Sequence, residues 1–209
     1  MVAVTMPIAS EIEPVAPGIS LWRLYDPAVK ADLFSTAVDT DNGTFLVDPA
    51  PLASDALADL STQRSIAGIA VTNENHFRAA ASFADQFNVP IFVHPALTEG
   101  SAVPRTKPVR DREVFAPGLT AIEIVGGPTG EIAIHSDAES GTLIIGDALI
   151  NFEPYGFALL PAKYCSNARA MRRSLPKLLH YTFERMLFAH GTPILTAARE
   201  RLEQLLLQR

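Results

Sequence analysis

Four short apolar runs in this chain end in residues able to bind a cation or move a proton. Asp48 closes LVD, and Asn73, Glu74, Asn75 and His76 follow IAVT. Asp147 follows LIIG, and His190 ends MLFAH just ahead of Gly191. Loops leaving a rigid sheet are where catalytic side chains gather. Carboxylate and imidazole donors at successive strand ends could converge on a divalent metal. Taken singly, each of these residues also suits loop capping or a surface position.

Other chemistries lack their signatures. The sequence holds no G-x-S-x-G elbow, no GK[ST] phosphate loop and no G-x-G-x-x-G fingerprint. The run GGPTG at 126–130 reads as a tight turn between strands. Cys165 is the single cysteine, which excludes an intramolecular disulfide framework and a multi-cysteine zinc cluster. Nothing adjacent would activate its thiol, so it reads as a small, half-buried residue. His94, His135 and His180 read as structural or exposed.

The elements that must position the strand-end residues are legible in the patterning. Apolar runs bounded by Gly, Pro, Asp or Asn recur as GTFLVDP, GIAVTN, VPIFVHP, LTAIEIVGG, EIAIH, TLIIGDAL and MLFAHG. These are strand signatures. Asp41-Asn42-Gly43 marks a hairpin turn. Residues 76–87 place Phe77, Ala80, Ala81, Ala84 and Phe87 on one helical face. At the C-terminus Thr192 is the expected cap and Pro193 the first turn. Leu195, Ala198, Leu202, Leu205 and Leu206 form its stripe. Residues 53–62 and 167–180 are weaker helices, the second divided by Pro176. Residues 99–113, with Arg105, Lys107, Arg110 and Arg112, read as an exposed polar connection. The order implies layered α/β architecture with mixed sheets.

Composition bounds the function classes. The 209 residues are 48% apolar, enough for a sizeable core, and read as one domain, 1–209, with 1–18 an irregular N-terminal segment. A net charge of −6 argues against nucleic acid as a partner. No apolar run approaches the roughly 18 residues of a membrane span. Glu11 and Glu13 stand where a signal peptide would be apolar, so a cytoplasmic location is expected. The patterning leaves the oligomeric state open.

In the order LVDP, TNENHFRAAASFA, GGPTGEIAIH, LIIGDAL and SLPKLLHYTFERMLFAHGTPI, the chain resembles the metallo-β-lactamase superfamily from about residue 19 onward. The resemblance implies a four-layer αββα sandwich with two mixed β-sheets and a metal site at one edge. It also exposes departures. The family's first metal motif, H-x-H-x-D-H, falls on Asn73, Asn75, Phe77 and Arg78, and its next histidine on Gly127. Asp147 matches the bridging aspartate and His190 the last histidine. Amide oxygens are poor zinc ligands, and Arg78 would bring a permanent positive charge to the metal position. These losses argue against a conventional dinuclear zinc hydrolase. His76, one residue past the second family histidine, offers a replacement. With Asp147 and His190 it makes a two-histidine, one-carboxylate set, to which Glu131 or Glu74 could add a carboxylate.

Three functions follow from this reading. One is an atypical hydrolase of an ester, thioester or phosphoester. Its single zinc, iron or manganese would be held by His76, Asp147 and His190, with Asp147 and His190 catalytic. The second is a metal-free binding or sensing protein, with Asn73, Asn75, Arg78 and Glu131 lining a cleft for a small anionic molecule. The third is metal-free catalysis with His190 as general base, oriented by Asp147.

Overall fold

The runs GTFLVDP and TLIIGDAL are apolar at nearly every position because both faces of their strands are covered. The computed structural model describes residues 7–98 and 103–208. The first sheet opens with β1 (Glu13–Ala16), β2 (Ile19–Asp26), β3 (Ala31–Thr40) and β4 (Gly43–Val47), paired antiparallel in sequence order. After α1 (Ser54–Gln63), β5 (Ile66–Ala70) joins β4 in parallel. Then α2 (Ala80–Phe87) leads to β6 (Ile91–Val93), and β7 (Thr106–Pro108) closes the sheet, both parallel.

The second sheet begins with the antiparallel strands β8 (Val114–Ala116), β9 (Leu119–Glu123), β10 (Ile132–Ser136) and β11 (Thr142–Ile145). A separate hairpin follows, β12 (Leu149–Phe152) and β13 (Gly156–Leu159). The chain then runs through α3 (Ala168–Ser174) to β14 (Arg185–Phe188), which pairs with β11 in parallel, and ends in α4 (Ala198–Leu207).

Period-two alternation sorts the side chains into three apolar layers. Trp22, Leu46, Ile69 and Ile91 pack outward with Leu57 of α1 and Phe83 of α2. Ile19, Phe45 and Val47 meet Ile134, Ile144 and Leu187 between the sheets. Leu143, Ile145, Met186 and Phe188 pack outward with Met171 of α3 and Leu202 of α4. The result is the αββα sandwich with two mixed sheets. Ile69, Ile91, Ile134 and Ile145 have no exposed surface. Truncating any of them to alanine would cost about 2–5 kcal/mol.

Several local expectations need correction. Residues 13–16 are a strand, not irregular chain, because they pair with β2. The second helix starts at Ala80, preceded by a 3₁₀ turn at Glu74–His76, and it buries Phe83. The last helix starts at Ala198, so Thr192 does not cap it. The Thr192 amide instead donates to the Asn151 carbonyl, and Leu195 is exposed. The basic stretch contributes β7, since its backbone completes the sheet edge; residues 99–102 of that stretch lie outside the described residues. Pro176 does divide its helix: α3 stops at Ser174, and 3₁₀ turns run over Leu175–His180.

Candidate metal centre

The loops after β4, β5, β11 and β14 all open at the same edge of the sandwich. The loop after β5 is shaped by Asn73, whose Oδ1 accepts the Asn75 N–H and caps the 3₁₀ turn. That turn swings His76 inward until it is 2% exposed. Asp48, at φ 47°, aims its carboxylate at the same loop. Its Oδ1 accepts the Thr72 N–H at 2.8 Å, and its Oδ2 accepts the Thr72 hydroxyl at 2.6 Å. His76 Nδ1 lies 3.0 Å from Asp48 Oδ2. An ionised carboxylate only accepts, so Nδ1 carries the hydrogen.

That tautomer turns His76 Nε2 toward Asp147 Oδ1, 3.3 Å away. Nε2 is buried, and among the described residues that Asp147 contact is the one it makes, too loosely aligned to count as a hydrogen bond. His190 repeats the arrangement from the second sheet. Its Nδ1 donates to the Asp32 carbonyl at 3.2 Å, and its Nε2 stands 3.4 Å from the same Asp147 oxygen. The two imidazole centroids are 5.4 Å apart. The donor atoms of His76, Asp147 and His190 all lie within 4.8 Å of one another. Ligands held at 2.0–2.1 Å around a tetrahedral cation are spaced by about 3.3 Å, close to the separation of each imidazole nitrogen from Asp147 Oδ1. The donor set therefore fits one divalent cation.

Behind Asp147 sits a second buried network. Asn73 Nδ2 donates to Asp147 Oδ2 at 3.1 Å and to Glu131 Oε2 at 2.7 Å. Glu131 Oε1 accepts the Ala148 N–H at 2.8 Å. Gly146 makes the crowding possible: a Cβ there would stand 2.6 Å from Thr72 Oγ1 and 2.9 Å from Glu131 Oε1.

Electrostatics follow the burial. Desolvation disfavours the His76 imidazolium, but Asp48 and Asp147 outweigh it and raise its pKa to about 9. Burial pulls His190 down to about 4, against the attraction of Asp147. Burial works to raise both Asp48 and Asp147, yet the adjacent His76 leaves each below the usual carboxylate range. Glu131 is raised to about 8, first by burial and then by the Asp147 charge.

A cavity of about 720 Å³ opens over this centre, and His76, Asp147, His190, Asn75 and Arg78 reach its surface. Arg78, at φ 41°, donates through Nη1 to the carbonyls of Phe34 and Asp48, at 2.6 and 2.9 Å. Its Nη2 is buried and, among the described residues, makes no hydrogen bond. Asn73 and Glu131 are buried behind Asp147 and do not line the cavity. Glu74 is exposed and accepts the Thr129 N–H. Phe77 packs into the first outer core layer.

Sequence reasoning noticed Asp48 only as a strand end and missed Thr72. Their signal was LVD and the threonine closing IAVT, but nothing local ties either to His76. Two of the remaining histidines have other work. His94 Nδ1 accepts the Ala96 N–H, and His135 Nε2 sits 2.8 Å from the Thr182 carbonyl. Burial raises the Cys165 thiol pKa, which suits a packing residue.

Comparison with known proteins agrees with this architecture. A search of curated proteins found no match. Among solved structures, the DIM-1 metallo-β-lactamase superposes with a TM-score of 0.74 at 14% identity, over 97% of this chain and 98% of that one. A metallo-β-lactamase from Pontibacter korlensis gives 0.74 at 14% identity, over 95% and 99%. A metallo-β-lactamase family protein from Thermus thermophilus gives 0.65 at 20% identity, over 92% and 79%. The sequence model of the metallo-β-lactamase superfamily matches residues 15–208, and this chain belongs to that superfamily.

Proposed function

We propose that this protein is a hydrolase that uses one divalent cation, held by His76, Asp147 and His190, on an ester, thioester or phosphoester. Members of the superfamily are typically hydrolases. The observation that carries the reading is the convergence of two imidazole nitrogens, His76 Nε2 at 3.3 Å and His190 Nε2 at 3.4 Å, on the one oxygen Asp147 Oδ1. When bound, such a cation supplies Lewis acidity to a carbonyl or phosphoryl oxygen and lowers the pKa of water.

The protein residues supply orientation. Asp48 fixes the His76 tautomer and raises the basicity of Nε2. The Asp32 carbonyl does the same for His190. Asn73 occupies Asp147 Oδ2 and leaves Oδ1 turned to the two imidazoles. The low His190 pKa keeps that ring neutral, as a ligand must be. Arg78 places a fixed positive charge beside the cavity, where negative charge develops on a substrate oxygen. With Asn73 and Asn75 at former ligand positions, the donor set provides for one cation rather than two.

One observation favours a second reading, a metal-free binding protein. Without a cation, the raised His76 pKa keeps a proton on the ring, and an ion pair with Asp147 closes the gap. Metal content separates the two. Protein purified without chelator or affinity metal should contain about one zinc, iron or manganese per chain by plasma mass spectrometry, and His190→Ala should lose it. Substoichiometric metal that added zinc does not raise would retire the hydrolase reading.

A further inference from the structure

We infer that the site takes an uncharged ester or thioester with an apolar acyl or alkyl arm, in preference to a phosphoester. This deepens the hydrolase reading and rests on it for the bond that breaks. The arm itself is argued from the cavity.

The β12–β13 hairpin and the segment after it form one wall, through Ile150, Phe152, Tyr155, Leu160 and Tyr164. Leu24, Val29 and Leu33 of the β2–β3 region also line it. Val29, Tyr155 and Tyr164 are each more than half exposed. Large apolar side chains left exposed around one cavity mark a surface that an apolar group covers. The Phe152 and Tyr155 rings meet edge to face at 5.7 Å, which gives the wall a defined shape. A volume of about 720 Å³ is of the size that encloses a small organic molecule.

The polar groups of the lining do not select a polyanion. Apart from the cation of the hydrolase reading, its charged side chains other than histidine balance, Asp26 and Asp147 against Lys30 and Arg78, so the chain itself adds no excess of cationic groups for a second or third negative charge. Arg78 has Nη1 committed to two carbonyls, so it cannot present its whole fork to a phosphate. Asn73 and Glu131 are withdrawn behind Asp147. What remains is a polar floor large enough for one reacting group beneath an apolar wall. In the reaction, the water oxygen bonds to the acyl carbon and the C–O or C–S bond breaks. One water proton passes to the leaving alcohol or thiol, and the acid departs as carboxylate and a proton.

The test measures hydrolysis and binding separately on the full chain as purified. Hydrolysis is followed on p-nitrophenyl esters from acetate to decanoate, with p-nitrophenyl phosphate and its diester for comparison. Binding is followed by calorimetry on uncleaved straight-chain methyl ketones of matching length. The expected result is a kcat/KM that rises about two- to fourfold per methylene until the wall is covered, with ketone Kd values falling in parallel. Tyr155→Ala and Phe152→Ala should flatten both series; Tyr155 is largely exposed, so its variant isolates the wall from folding. Ester hydrolysis with no dependence on chain length, or faster turnover of the phosphates, overturns the inference and leaves the hydrolase reading standing. Ketone binding that tightens with length while no ester is cleaved retires the hydrolase reading and supports the apolar arm.

Discussion

The floor and the wall of the cavity are built on opposite plans. On the floor, each donor is fixed by a second contact: His76 by Asp48, His190 by the Asp32 carbonyl, Asp147 by Asn73. The wall is a two-stranded hairpin outside both main sheets, and its tip displays Tyr155 largely to solvent. Hydrogen bonds and charges lock atoms to fractions of an ångström, which chemistry at one bond requires. Apolar contact is non-directional and tolerates different shapes, which suits the part of a ligand that does not react. On the proposed reading, reaction type and substrate choice are carried by separable parts of this chain.

The sharpest way to break that division is at the floor. His190→Ala or Asp147→Ala removes a donor outright, and each should abolish stoichiometric metal and lower hydrolysis by about a hundredfold or more. Asp48→Asn touches only the partner of a donor. Its expected effect is smaller, about 10–100-fold in metal affinity, measured by competition with a chromophoric chelator. If Asp48→Asn bound metal like wild type, the floor would not depend on its outer contacts as argued.

Gly146→Ala sharpens the comparison through stability. The added Cβ meets Thr72 Oγ1 at 2.6 Å. Such overpacking costs about 1–3 kcal/mol, so Tm should fall by roughly 2–10 °C in a calorimetric scan. A much larger change in the wall, Tyr155→Ala, should leave Tm nearly unmoved because that side chain is largely exposed.

The pH dependence of the metal-free protein gives a further test. His76 binds its proton more tightly folded, with a pKa of about 9 against 6.5. The stability this contributes is complete below 6.5 and lost as pH rises through about 9. Glu131, raised from 4.5 to about 8, acts in the same sense over a lower window. Chelator-treated protein should therefore lose Tm steadily from neutral pH to about 9. His76→Gln should remove the upper part of that fall. The smallest effect is expected at Leu195, exposed and outside the helix stripe assigned to it, where Leu195→Ser should change Tm by no more than about 1 °C.

How much of this was readable depended on the range of the interaction. The strands were legible because alternation and bounding turns are local, and double burial leaves an apolar run that needs no knowledge of the partner sheet. The start of α4 was not, because Thr192 and Pro193 have good helix-start chemistry, yet the Thr192 backbone is hydrogen-bonded to Asn151 and the helix begins only at Ala198. His76, Asp147 and His190 were legible as strand-end residues, and the resemblance to the superfamily singled them out as one set. The roles of Asn73 and Glu131 were not: both looked like cleft residues, and both are buried supports.

The sequence by itself determined the layered α/β architecture with mixed sheets and the strand-end placement of the imidazoles and carboxylates, which follow from residue identity and short-range periodicity. The four-layer sandwich and the substituted ligand positions were implied by the resemblance to the superfamily. The tertiary structure alone decided that Asp48, 28 residues away in the chain, would set the His76 tautomer. It alone decided that Asn73 and Glu131 would turn inward and that a hairpin outside the main sheets would wall the cavity. Those outcomes depend on contacts between distant segments, whose partners are chosen by how two sheets pack and not by any residue's neighbours in sequence.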